Sequence, residues 1–258
     1  SHGIKRVDNY FWMRDDSRKN QEVIKHLEEE NNYLDSWFQS GADKRDEIFK
    51  EIISRIPKKE DSVPVRMGSY KYFRRYDTNK EHAIYIRKKE KSSKEEVILD
   101  VNLLADKTEF YQLANWSISP TEDKLAFAED PIGRRKYKIR LKQLSDDNFL
   151  EDELNGTSGD MAWSKDGRFL FYVLRHSETL LPFQVYRHRL GDNQSDDVLV
   201  YEEQDSTFHI SVGNSRSMEY IEINISSTTS SETLLIESSF PKKEPKVFLR
   251  REKDHIYS

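Results

Sequence analysis

Val23, Ile24, Leu27, Leu34 and Phe38, together with Asn31, recur at three- and four-residue steps, while Glu28, Glu29 and Glu30 take the other side. That step matches the 3.6-residue turn and predicts an amphipathic helix over Asn20 to Phe38. Asn20 can cap its start by accepting from a free backbone amide, and Gly41 suits a left-handed turn at its end. A second helix is predicted from about Asp43, with Ile48, Phe49, Ile52, Ile53 and Ile56 on one stripe. It stops at Pro57, which disfavours helical geometry in the residue before it. The two helices read as a hairpin-like arm, and Lys58 to Ser62 as a polar connector that closes an N-terminal region of residues 1–62. Neither stripe can be buried completely against one partner helix, so the arm is expected to dock on another body.

From Val63 the pattern changes to alternation, and strand-like runs recur between turn signals. Runs begin at Tyr70, Leu125, Phe169 and Tyr220, which are 55, 44 and 51 residues apart. Trp116-Ser117-Ile118 precedes Leu125 and Trp163-Ser164-Lys165-Asp166-Gly167 precedes Phe169. Asp166-Gly167 is a hairpin signal, read as a type I′ turn. Phe183 to Tyr186 and Val198 to Tyr201 complete the third unit, and Thr233 to Ile236 and Lys246 to Leu249 the fourth. Four strands per period of about 40 to 50 residues indicate β-propeller blades. The expected blades are 63–108, 109–158, 159–206 and 207–252, with the start of a fifth. The fold class expected is therefore mainly β: a partial propeller of about four blades preceded by a two-helix arm. A β-sandwich is the competing arrangement of such strands.

Charged residues make up 34% of the chain and hydrophobic ones 35%, so a highly solvated surface covers a real core. The net charge of −5 comes from acidic and basic residues that are interspersed, as in Arg87 to Lys91 followed by Lys94-Glu95-Glu96. Such mixing argues against a nucleic-acid stripe. With no cysteine, disulfides, thiolate nucleophiles and cysteine-ligated zinc are excluded. No run approaches a membrane span and Ser1 to Arg14 lacks the apolar core of a secretory signal. A cytoplasmic protein without a membrane partner is expected.

Candidate chemistry is sparse. Gly-x-Ser-x-Gly, which places a serine nucleophile on a strained strand-to-helix turn, is absent. Its near-misses, Gly213-Asn214-Ser215-Arg216-Ser217 and Thr157-Ser158-Gly159, read as turns. The seven histidines, His2, His26, His82, His176, His188, His209 and His255, have no zinc-protease spacing and read as surface or hairpin residues. No catalytic residue, metal or cofactor is expected. One polar cluster stands out, Glu129-Asp130-Pro131-Ile132-Gly133-Arg134-Arg135. It reads either as a charged hairpin or as a surface that pairs its ions with another domain.

Several stretches carry a resemblance that spans the chain in order: HGIKRVDNYFWMRDD, EEENNY, RIPKKEDSVP, EHAIYIRK, SISPTEDKLAFAEDPIGRRKYKIR, TLLPFQVYRHRLG and KDHIYS. They resemble the N-terminal part of the oligopeptidase B, or protease II, branch of the prolyl oligopeptidase family of serine peptidases. The resemblance implies a seven-bladed propeller that admits short peptides to an α/β-hydrolase domain bearing the Ser-Asp-His triad, with cleavage after Arg or Lys. It implies that this chain, ending as a fifth blade would begin, lacks the triad, and that its arm wraps the catalytic domain. Within the resemblance, Glu129 and Arg135 are candidate interdomain contact residues. The expected partners are short peptides, through the complete enzyme, and the chain's own catalytic domain. Alternatives are a free-standing binding module and a proline-specific peptidase. Blade faces and sheet edges left uncovered would forgo on the order of 10 kcal/mol, so the isolated chain is expected to self-associate.

Overall fold

The computed structural model describes Gly3 and residues 5–257; His2, Ile4 and Ser258, which fall in the quoted terminal stretches, lie outside them. Two compact units divide the chain, Ser1–Pro57 and Lys58–Ser258.

In the first unit, α1 (Gln21–Gln39) starts as expected, with the Asn20 side chain accepting from the Glu22 amide at 3.0 Å. Ser40 and Gly41 alone separate it from α2 (Ala42–Ser54). Gly41 does not take the left-handed turn. Its φ is −108°, and it stands at the start of α2, where its carbonyl accepts from Arg45. So short a joint serves one helix end and the next helix start with the same residue. The hairpin-like packing is not observed either, because α1 and α2 do not lie along one another. Leu27, Leu34, Phe38, Ile48, Phe49, Ile52 and Ile53 stay exposed.

The second unit is a succession of antiparallel sheets. The first blade holds β1 (Glu60–Asp61), β2 (Val65–Met67), β3 (Tyr70–Tyr76), β4 (Ile84–Lys89) and β5 (Glu95–Asp100). Both β1 and β2 pair with β3, so the expected connector at Lys58 to Ser62 contributes a short strand instead. A short helix, α3 (Val101–Ala105), leads to β6 (Gln112–Ile118), β7 (Lys124–Asp130), β8 (Tyr137–Gln143) and β9 (Phe149–Trp163). Next come β10 (Phe169–Arg175), β11 (Pro182–Arg189) and β12 (Val198–Glu202). The fourth blade is the meander β13 (His209–Asn214), β14 (Tyr220–Ser226), β15 (Ser231–Glu237) and β16 (Lys246–Leu249).

β9 belongs to two blades. Its first part pairs with β8, through Phe149 opposite Lys142 and Leu154 opposite Ile139, and its last part with β10, through Trp163 opposite Leu170. Thr157-Ser158-Gly159, expected as a turn, therefore lies inside a strand. Gly156 and Gly159, at φ of 72° and 92°, supply the bends that carry β9 from one blade to the next.

The Asp166-Gly167 turn is not type I′, since only Gly167 has positive φ. Instead Gly167 donates to the Ser164 carbonyl, and the Ser164 hydroxyl accepts from the Phe169 amide at 3.0 Å. The same device recurs in the second and fourth blades. The Ser119 hydroxyl accepts from the Lys124 amide at 3.1 Å, and the Ser215 hydroxyl from the Tyr220 amide at 3.1 Å. Three serines, each five residues before the next strand, thus mark the end of the first strand of a blade.

The core lies between blades. Ala162, Phe171, Val173 and Val185 of the third blade pack on Ile210, Val212, Ile221, Ile223, Ile225 and Ile236 of the fourth. Leu154, Ile139 and Leu141 of the second blade meet Trp163, Leu170 and Tyr172 of the third. The fold is thus mainly β, an open partial propeller with a helical segment before it.

Candidate functional site

In an antiparallel four-strand meander, the loop between the second and third strands lies at the end where the first strand begins. The connections after β3, β7, β10 and β14 therefore share one end of their blades. The cluster singled out in the sequence is the β7–β8 connection, continuous with the last two residues of β7.

Asp130 organises it. Buried to 1% exposure, its carboxylate accepts from the amides of Ile132 at 3.0 Å, Gly133 at 2.9 Å and Arg135 at 2.6 Å. Three amides on one carboxylate fix a short loop without any regular structure. Gly133 has φ of 81°, and a side chain there would meet the Phe110 ring at 3.5 Å; Arg135 has φ of 54°. Asp130 was not picked out individually in the sequence, although Asp-Pro-x-Gly is a signal for an Asp-stabilised turn.

The two candidate contact residues part company. Glu129 points into the blade, at 7% exposure, where it accepts from the Tyr111 hydroxyl at 2.5 Å and from Arg140 Nη1 at 3.4 Å. Burial, then the hydrogen bond to Glu129, pushes the Tyr111 hydroxyl well above the usual tyrosine range. Tyr111 thus remains a donor, and Glu129 is held from two sides. Arg135 is exposed, as are Ile132, Arg134 and Lys136. Among the described residues no carboxylate lies within ion-pair distance of Arg134, Arg135 or Lys136. The loop therefore presents three cations and one apolar side chain on a backbone fixed by Asp130, and no nucleophile.

The near-miss serine motifs serve the backbone. Ser215 caps the turn before β14, and Ser158 accepts from the Asp160 amide at 3.2 Å within β9 while donating to the Asp160 carboxylate at 2.6 Å. Among the described residues no group of three or more His, Asp or Glu is placed to hold a metal ion, and no helix is long and apolar enough to cross a membrane. One histidine departs from the expected surface role: His188 is wholly buried between Asp152 and Asp197.

The whole chain, residues 1–258, matches the family described as prolyl oligopeptidase, N-terminal beta-propeller domain. It is 36% identical to dipeptidyl aminopeptidase BI of Pseudoxanthomonas mexicana, covering 90% of this chain and 34% of that protein. It is 34% identical to protease 2 of Moraxella lacunata, covering 93% of this chain and 36% of that protein. The structure of oligopeptidase B from Leishmania major superposes with a TM-score of 0.90 at 34% identity, covering 96% of this chain and 36% of that one. The chain thus spans about a third of the length of these relatives. Sheet order, the blade-to-blade core and the match over the full chain agree that it belongs to the prolyl oligopeptidase family, of which it carries N-terminal β-propeller sequence.

Proposed function

We propose that this chain is the access-controlling and docking part of a serine peptidase that hydrolyses short peptides after Arg or Lys, and that it has no activity alone. The observation that carries this reading is the family match over a chain that spans 34% and 36% of its peptidase relatives. Hydrolysis then falls to parts of the protein beyond these residues. The exposed apolar stripes of α1 and α2 suit packing on such a part.

In this reading the Ile132 to Lys136 loop meets an acidic surface of the catalytic part. Arg135 supplies the contact directly, and Glu129 supports it from behind through Tyr111 and Arg140. Charge pairs of this kind mainly set how often and in what register the two parts close. In the intact protein, Arg135→Glu should raise KM or lower kcat by roughly threefold or more while Tm stays unchanged. Unaltered kinetics would remove the loop from the interface.

A second reading is favoured by the name of the 36% identical relative, a dipeptidyl aminopeptidase. Reporter peptides ending in Arg, Lys or Pro, each with a free and a blocked N-terminus, separate the readings. Turnover of blocked Arg and Lys peptides supports the endopeptidase. A requirement for a free N-terminus supports the alternative, and preference for Pro overturns the specificity assigned here.

A further inference from the structure

The buried His188 belongs to no part of the site above. Its ring, on β11, has Nε2 2.9 Å from Asp152 Oδ1 and Nδ1 2.7 Å from Asp197 Oδ1. The ring has 0% side-chain exposure, and the two carboxylates 5% and 1%. An ionised carboxylate only accepts, so both ring nitrogens must carry hydrogen for both bonds to form; the imidazole is the cation.

The geometry crosses a blade boundary. Asp152 lies in the part of β9 that belongs to the second blade, on the same face as the core residue Leu154. Asp197 ends the connection between β11 and β12 in the third. That connection is laid against β9 by more than the ion pairs. Gly191 donates its amide to Asp152 at 2.6 Å. Gln194 accepts from the Asn155 amide at 2.9 Å and donates to the Asn155 carbonyl at 3.1 Å, as a neighbouring strand would. On β10, Tyr172 donates to Asp197 at 2.9 Å. Of the charged residues that adjoin these three in sequence, Arg189 and Asp192 are exposed and pair with each other at 3.6 Å, Glu153 pairs with Lys138 at 2.9 Å, and Glu151 and Asp196 are exposed.

We propose that protonated His188 is a charge latch that holds the β11–β12 connection on β9, tying the third blade to the second, and that loss of its proton releases this connection. Burial alone would lower the basicity of the ring, but the two carboxylates outweigh it and the pKa is pushed up to about 9. Burial pushes the Tyr172 hydroxyl above the usual tyrosine range, so it stays a donor through the same window. The folded-state value lies above the unfolded one near 6.5. The latch therefore contributes fully below that lower value and is lost as pH rises through about 9. At neutral pH it is closed, a fixed fastener that opens only in alkali.

The test is amide hydrogen exchange by mass spectrometry on the intact protein, following the peptide that covers Leu190 to Asp197, with rates corrected for the chemical effect of pH. Protection of that peptide should fall at least tenfold between pH 7 and pH 10, while peptides from β14 and β15 keep theirs. His188→Gln should show the open state at both pH values. Asp197→Asn, which keeps the shape and removes one charge, should move the release midpoint to lower pH. Should either variant fail to fold, the unsubstituted protein still decides: protection of Leu190 to Asp197 that is unchanged at pH 10 overturns the latch. Full protection in His188→Gln at pH 7, or an unmoved midpoint in Asp197→Asn, also overturns it.

Discussion

The seam between the third and fourth blades and the seam between the first and second solve one problem with different chemistry. The former is filled by β-branched and aromatic side chains, with Ile221, Ile223 and Ile225 at 0% exposure against Phe171, Val173 and Val185. Hydrogen bonds cross it at its margins: at the inner edge Asn214 accepts from the Trp163 amide and donates to the Trp163 carbonyl, both at 2.8 Å, and elsewhere Arg187 donates to the Pro241 carbonyl at 2.9 Å and Lys165 to Glu219 at 2.8 Å. The latter pairs Tyr70, Tyr72 and Ile98 with Trp116 and Ile118, and admits two buried cations. Arg87 lies 4.2 Å from the centre of the Tyr70 ring, donates to the Glu122 carbonyl at 2.6 Å and pairs with Glu96 at 2.8 Å. Lys142 reaches across to the Ile98 carbonyl at 3.2 Å. An aliphatic seam depends on shape and fails by cavity formation; a cationic one depends on satisfied donors and fails when a partner is left alone.

The largest effect expected is at the aliphatic seam. Ile223→Ala removes buried methyl and methylene groups where little can collapse, and should cost about 2–5 kcal/mol in urea unfolding of the intact protein. A loss below 1 kcal/mol would mean that the two sheets can close over the gap.

At the cationic seam, Arg87→Ala strands the Glu122 carbonyl and deprives Glu96 of its partner, for about 2–3 kcal/mol. Glu96→Gln should cost under about 1 kcal/mol, because Glu96 is itself partly exposed. Equal losses from the two variants would show that the ion pair, rather than the guanidinium's stacking and carbonyl bond, holds this seam.

A loss smaller than those at Ile223 and Arg87 belongs to the inner edge. Asn214→Ala leaves both backbone groups of Trp163 without their partner and should cost about 1–2 kcal/mol. Asn214→Asp keeps the acceptor but loses the donor, so it should fall between wild type and Ala. If Asn214→Ala is silent in the same unfolding measurement, water replaces the amide.

The blade architecture was legible because strand patterns are local: Tyr70 and Tyr220 open runs that alternate between buried and more exposed positions, and Leu125 and Phe169 open short apolar runs that are buried on both faces. The serine device is legible too, in Ser119, Ser164 and Ser215, once the repeat is aligned on the strands that follow. The loop after β7 could be located, and its Asp-Pro-x-Gly turn explained, from seven consecutive residues.

What sequence could not supply is which polar groups end up inside. Glu129 and Arg135 sit in one charged stretch, yet one is held by Tyr111 and Arg140 and the other is free in solvent. His188 looked like any lone histidine, because its carboxylates stand 36 residues before and 9 after it. The sequence by itself determined the periodicities, hence helices before Pro57 and a succession of strands after it, since side-chain direction along a strand or helix follows from backbone geometry alone. Only the tertiary structure decided the burial of Glu129, Arg87 and His188. A charge enters the interior only where donors or acceptors from distant strands converge on it, and that convergence exists once the blades have packed.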